Sequence, residues 1–102
     1  MKQVELYFPL RYNDGSPVEP EWIEHVGDRL LETFGGYTFF PQPNKGVWTL
    51  GHVTFHDEVV IFRVLTGKVR QPKRFFQGLK KELKRGLQQE EILIVAIEVE
   101  IF

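Results

Sequence analysis

Polar and apolar side chains alternate at the start of the chain. Val4, Leu6, Phe8 and Leu10 point one way, and Gln3, Glu5 and Tyr7 point the other. A period of two over Lys2–Leu10 is that of a strand with one buried face. Pro9 should end its regular pairing or place it at an edge. Arg11–Pro17 reads as a loop turning at Asn13-Asp14-Gly15. From Pro20 the period changes. Ile23, Val26, Leu30 and Phe34 recur at steps of three, four and four, which is one stripe of an amphipathic helix over Pro20–Phe34. Trp22 and Leu31 widen that stripe. Pro20 suits a first helical position, and Gly35 suits the left-handed position past the end.

The middle of the chain is punctuated by glycine and proline. Tyr37-Thr38-Phe39-Phe40 reads as a short strand, Pro41–Gly46 as a loop, and Val47–Leu50 as the return of a hairpin. Gly51 breaks the pattern. Val53–Phe55 is expected to be a further short strand, with His56-Asp57 turning into the main strand, Glu58–Thr66. In that strand Val59, Val60, Ile61 and Phe62 are apolar without alternation, so neither face should be wet. The helical period returns over Gln71–Leu87, with Phe76, Leu79, Leu83 and Leu87 as its stripe. Gly78 and Gly86 should weaken that helix by roughly 1 kcal/mol each against alanine. Ile92–Phe102 reads as the last strand. It is apolar on both faces through Ile97 and alternates afterwards, with Glu98 and Glu100 on one face and Val99 and Ile101 on the other.

Strand, helix, hairpin, strand, helix, strand is the order of a ferredoxin-like α/β plait with an elaborated middle hairpin, an α+β fold in a single domain over 1–102. Two helices cover one sheet face only. Val59/Ile61 and Val60/Phe62 lie on opposite faces, as do Leu93/Val95 and Ile92/Ile94. An apolar face therefore remains for the middle hairpin or a second copy to cover. A homodimer through the sheet face is the expectation.

Three short segments add a resemblance. Phe34-Gly35-Gly36-Tyr37-Thr38, Gly46-Val47-Trp48 and Gln88-Gln89-Glu90 resemble stretches of small uncharacterised prokaryotic families with this fold. The resemblance implies the plait and no established activity, so it assigns no functional residues.

Composition narrows the function classes. The absence of cysteine removes disulfides, thiolate metal sites and a cysteine nucleophile. The N-terminus lacks the apolar core of a signal peptide, and no apolar run approaches membrane-spanning length, so a cytoplasmic protein without membrane attachment is expected. The net charge of −1 conceals a segregation. Residues 18–34 carry a net −4 and residues 68–86 a net +7. In a plait the two helices lie side by side, so these charges are expected to face each other. If they face solvent instead, Lys73, Arg74, Lys80, Lys81, Lys84 and Arg85 form a footprint for nucleic acid. Tyr7, Tyr37, Phe39 and Trp48 would then be the sheet aromatics for stacking bases. The RNA-binding consensus of such plaits is absent, and nucleic acid is not the favoured partner.

Candidate chemistry is sparse. His52, His56 and Asp57 are the nearest approach to a metal set, yet Asp57 would point away from His56 on a strand, so no metal or cofactor is expected. Trp48, His52, His56 and Arg63 are the candidate lining of a small-molecule pocket, apolar with polar edges. Glu98 and Glu100 are close carboxylates on one strand face. No nucleophile motif and no phosphate-binding glycine loop is present, so no catalytic residue is assigned. The leading function is a non-enzymatic, self-associating protein-interaction module. A nucleic-acid binder or regulator acting through the second helix, and a ligand binder or plait-type enzyme acting through the pocket, are the alternatives.

Overall fold

The computed structural model describes residues 1–67 and 70–102, so Lys68 of the basic stretch lies outside the described residues. The elements run β1 (Lys2–Pro9), α1 (Pro20–Phe34), β2 (Thr38–Leu50), β3 (Val53–Leu65), α2 (Pro72–Gly86) and β4 (Ile94–Glu98). The strands form one antiparallel sheet in the order β2-β3-β1-β4. This is the ferredoxin-like plait. Val4, Leu6 and Phe8 of β1 and Val60, Phe62 and Val64 of β3 point to the same side. There they pack with Val26 and Leu30 of α1 and Phe76, Leu79 and Leu83 of α2. The Thr66 hydroxyl clasps the end of β3 to β1: it accepts from the Lys2 N–H and donates to the Lys2 carbonyl, each at 3.1 Å.

The middle of the chain is simpler than its prolines suggested. Pro41–Gly46 is no connecting loop; it lies within the 13-residue strand β2. The register slips between Phe40 and Asn44, and this bulge absorbs the prolines. β2 is an edge strand, where a missing N–H need not break a ladder. His56-Asp57 is no turn either: these residues sit inside β3, opposite Val47 and Gly46. The turn is Gly51-His52, with Gly51 at φ 63° and Leu50 paired to Val53. A separate strand at Val53–Phe55 therefore does not exist; it is the start of β3. β4 is shorter than Ile92–Phe102, although the Val99 N–H still bonds the Met1 carbonyl at 3.0 Å.

The helices meet in the reverse of the expected charge pattern. His25 and Arg29 of the acidic helix hold Glu82, the one acid of the basic helix, with Arg29 Nη1 donating to Glu82 Oε2 at 2.6 Å. The remaining charges of both helices mostly face water: Glu21, Glu24, Asp28 and Glu32 on α1, and Lys73, Arg74, Lys81 and Arg85 on α2. Burial alone would push the Glu82 carboxyl up. The hydrogen bonds and charges of His25 and Arg29 override it and hold the carboxyl below the ordinary glutamate value. A depressed acid stabilises the fold fully above its unfolded pKa, and that contribution disappears as pH falls through the folded value. Glu82→Gln should therefore cost about 0.5–1 kcal/mol at neutral pH, since the pair is partly screened by solvent. The cost should vanish in acid, which urea unfolding at pH 7 and at pH 3 will show.

The two glycines of α2 have opposite roles. A Cβ on Gly78 would meet nothing within 4 Å, so Gly78→Ala should stabilise by about 0.5–1 kcal/mol through helix propensity alone. A Cβ on Gly86 would stand 2.3 Å from Trp22 Cη2. Gly86 is thus the seat of the α1 indole, and its propensity penalty is the smaller effect. Gly86→Ala should lose about 1–3 kcal/mol to overpacking and recover at most about 1 kcal/mol from propensity. Thermal melts of the two variants should move in opposite directions.

Candidate functional site

The opposite sheet face is the distinctive surface. Glu58–Thr66 was expected to be dry on both sides, and it is not. Val60, Phe62 and Val64 are buried under the helices, while Val59, Ile61 and Arg63 are half-buried on the other side and Leu65 is 46% exposed. The hairpin stays paired to β3 at the sheet edge, and only at the end near Tyr7 and Leu93 does its arm reach toward this face. Strand alternation carries the apolar face onto β4 and the residue before it, where Leu93, Val95 and Ile97 are 53%, 37% and 56% exposed.

One ion pair sits in the middle of this face. Glu5 and Arg63 are direct cross-strand partners. Arg63 donates to Glu5 Oε2 from Nε at 3.1 Å and from Nη2 at 2.8 Å. Its guanidinium also lies 4.7 Å from the centre of the Phe40 ring, a cation–π contact. Tyr7 borders the pair. Its phenol is pushed up by burial first and by the Glu5 charge second, with Arg63 opposing. The charges are therefore satisfied within the chain, and the face is apolar with a neutralised centre.

The second distinctive feature is the hairpin arm. β1 pairs with β3 over Val59–Leu65 and the Leu10 N–H adds a bond to the Glu58 carbonyl at 2.9 Å, so the part of the hairpin before Glu58 has no third strand beside it. An isolated two-stranded ribbon is marginal in water. Trp48 stiffens it: its ring stacks on Phe55 with centroids 4.4 Å apart, and Nε1 donates to Asp57 Oδ2 at 2.6 Å. Val47, Leu50 and Val53 are 64%, 52% and 56% exposed on the arm. At its root a largely apolar cavity of about 260 Å³ is lined by Tyr7, Trp48, Asp57 and Val59 together with Glu91 and Leu93.

The four pocket residues read from the sequence are not brought together. Trp48 lines the arm-root cavity. His56 pairs with Val47 on the other side of the arm, and His52 is in the turn at its tip. Arg63 is on the open face, held by Glu5. Among the described residues, no group of three or more His, Asp or Glu side chains is placed to hold a metal ion. Asp57, read as a metal-like neighbour of the histidines, instead fixes the Trp48 indole. The six basic residues all lie on α2, in the helix layer, with Lys80 bonded to Glu91 at 2.9 Å. Tyr7 and Trp48 are on the open face, across the sheet from them. Phe39 is turned to the core side, against Phe62. Tyr37 also lies on the helix side, against Phe62 and Gly27, so the four aromatics are split between the two faces and form no single stacking surface. Glu5, Phe40 and the Trp48–Asp57 bond were missed. The signal for Glu5 was a lone acid on the outer face of β1 matching a lone base in the main strand.

No family model and no curated protein matches the chain. Solved structures do match in fold. A phage SAM lyase in complex with S-methyl-5'-thioadenosine aligns at a TM-score of 0.68 and 18% identity, over 95% of this chain and 80% of that one. A variant of CutA1 from Pyrococcus horikoshii OT3 aligns at 0.59 and 17%, over 100% and 86%. The PII-like protein CutA from Nostoc sp. PCC 7120, in apo form, aligns at 0.58 and 17%, over 98% and 82%. At these identities the likeness is one of fold.

Proposed function

We propose that this protein is a self-associating plait module whose open sheet face is covered by a second copy of the chain, and that it acts through association. The observation that carries this is the apolar open face with its one charged pair already neutralised. A face bearing Leu65, Leu93, Val95 and Ile97 around a closed Glu5–Arg63 pair offers no net charge to select a charged partner. It complements a surface like itself. Four strands about 4.8 Å apart and about eight residues long give a face of roughly 500 Å². A standard interface takes about 800 Å² per partner, so the open side of the arm, with exposed Leu50 and Val53, supplies the remainder. Among the described residues no helix is long and apolar enough to cross a membrane, so membrane spanning by a helix does not account for this face.

Light scattering on the unmodified chain, from low to high micromolar concentration, tests the reading. The expected result is a mass above that of the 12.0 kDa chain that falls on dilution. A single 12.0 kDa species throughout overturns it.

A further inference from the structure

Between α2 and β4 runs a groove of about 370 Å³. Phe76, Ile94 and Ala96 form its apolar part, and Lys2, Lys73 and Lys80 supply charge at its rim. β4 is hydrogen-bonded to β1 on one side, and its other edge is open. Such an edge presents free N–H and C=O groups and accepts an added strand. The chain itself carries a matching strand. After Val99 bonds Met1 it runs free, with Ile101 60% exposed and Phe102 fully exposed.

We propose that Glu98–Phe102 of a second copy adds to the β4 edge as an antiparallel strand and fills this groove, the two copies exchanging the segment reciprocally. This contact uses the sheet edge and is separate from packing of the open faces.

The side-chain pattern and the symmetry agree. A two-fold axis perpendicular to the sheet joins two β4 edges and keeps both helix layers on one side. Facing residues then share parity. Ala96 pairs with Val4 and Ile94 with Leu6, so even-numbered positions of β4 lie on the helix side. The incoming Glu98, Glu100 and Phe102 therefore arrive on the helix side, where the lysines and Phe76 are. The incoming Val99 and Ile101 arrive on the open side, beside exposed Val95 and Ile97. Carboxylates meet lysines on one face while aliphatics continue the apolar stripe on the other. A one-residue slip would reverse both matches, and the symmetry forbids it. Lys80 is engaged by Glu91 at 2.9 Å and Lys2 stands opposite Glu98 of its own chain, which leaves Lys73 as the cation for the incoming acids.

A fluorescein-labelled peptide with the sequence of residues 97–102 tests this by anisotropy against the full chain. Saturable binding is expected, tighter when the exposed residues 100–102 are deleted from the chain and the groove is freed of its competitor. Lys73→Glu should weaken it about tenfold, and a peptide carrying Glu100→Lys should recover most of that loss on the Lys73→Glu chain. No binding up to high micromolar chain, or binding indifferent to Lys73→Glu, overturns the proposal. Because the peptide carries no sheet face, this result is read independently of whether the open faces associate.

Discussion

Replacing Phe62 with alanine should cost about 3–5 kcal/mol, a large part of the ~5–15 kcal/mol that holds a small domain together. Phe62 is 2% exposed and sits on the inner side of β3. Its ring meets Phe8 edge-on at 6.2 Å, Phe39 at 4.8 Å and Tyr37 at 5.7 Å. These rings arrive from β1, from β2 and from the residue before β2, so no single backbone shift closes the space that the lost ring would leave. Poor collapse places the cost at the upper end of its class. Ile61, the next residue, supplies the control. It faces the other side and is already half wet, so Ile61→Ala should cost roughly 1–2 kcal/mol in dilute solution. Urea unfolding of both variants at low concentration checks the assignment of faces. Equal losses would mean that β3 has two equally buried sides.

Elements that announce themselves locally were legible. The bounds of α1 follow from its period, Pro20 and Gly35, and the glycine takes the expected φ of 80°. α2 follows for the same reasons, starting at Pro72. The hairpin was not legible, because Pro41, Pro43 and Gly46 have turn chemistry that a position on the sheet edge overrides. His56-Asp57 looked like a turn because polar residues interrupt the strand pattern. The arm runs beyond both the helices and β1, so polar side chains are tolerated there within a strand. Past Glu98 the alternation continues while the strand stops: β1 begins at Lys2, opposite Glu98, and beyond that pair the Val99 N–H bonds the Met1 carbonyl. At the candidate site, Arg63 stood out as the one charge in an apolar run, but its partner is 58 positions away and depends on the β1–β3 register. The pocket residues were grouped by closeness in sequence. Strand alternation and the Gly51-His52 turn send them to different surfaces.

The Glu5–Arg63 pair gives the sharpest reading of the open face, because its energetic weight depends on what covers it. In the free chain the side chains are 19% and 39% exposed, and a partly solvated pair is worth about 0–1 kcal/mol. Under a second copy the same pair is cut off from water. Removing one member then leaves an uncompensated buried charge, at a cost of about 3–5 kcal/mol. Arg63→Ala should therefore shift the melting of dilute chain only slightly while raising the dissociation constant by at least roughly 10²–10⁴-fold, since both copies lose the partner of a buried Glu5. Glu5→Leu combined with Arg63→Leu removes both charges and should leave association equal or tighter, since apolar replacements of a buried pair are often neutral or stabilising. Ile97→Glu places a carboxylate on the same face with no base beside it, and should abolish association. Sedimentation equilibrium on the four chains, with melts at low concentration as the reference, measures each term. If Arg63→Ala lowers the melting temperature of the dilute chain yet leaves its mass distribution unchanged, the pair serves the free chain and the open face is not the interface. If single and double substitutions rank as expected, Glu5 is what neutralises Arg63, the one basic residue of Glu58–Thr66, so that the apolar face around it can be buried.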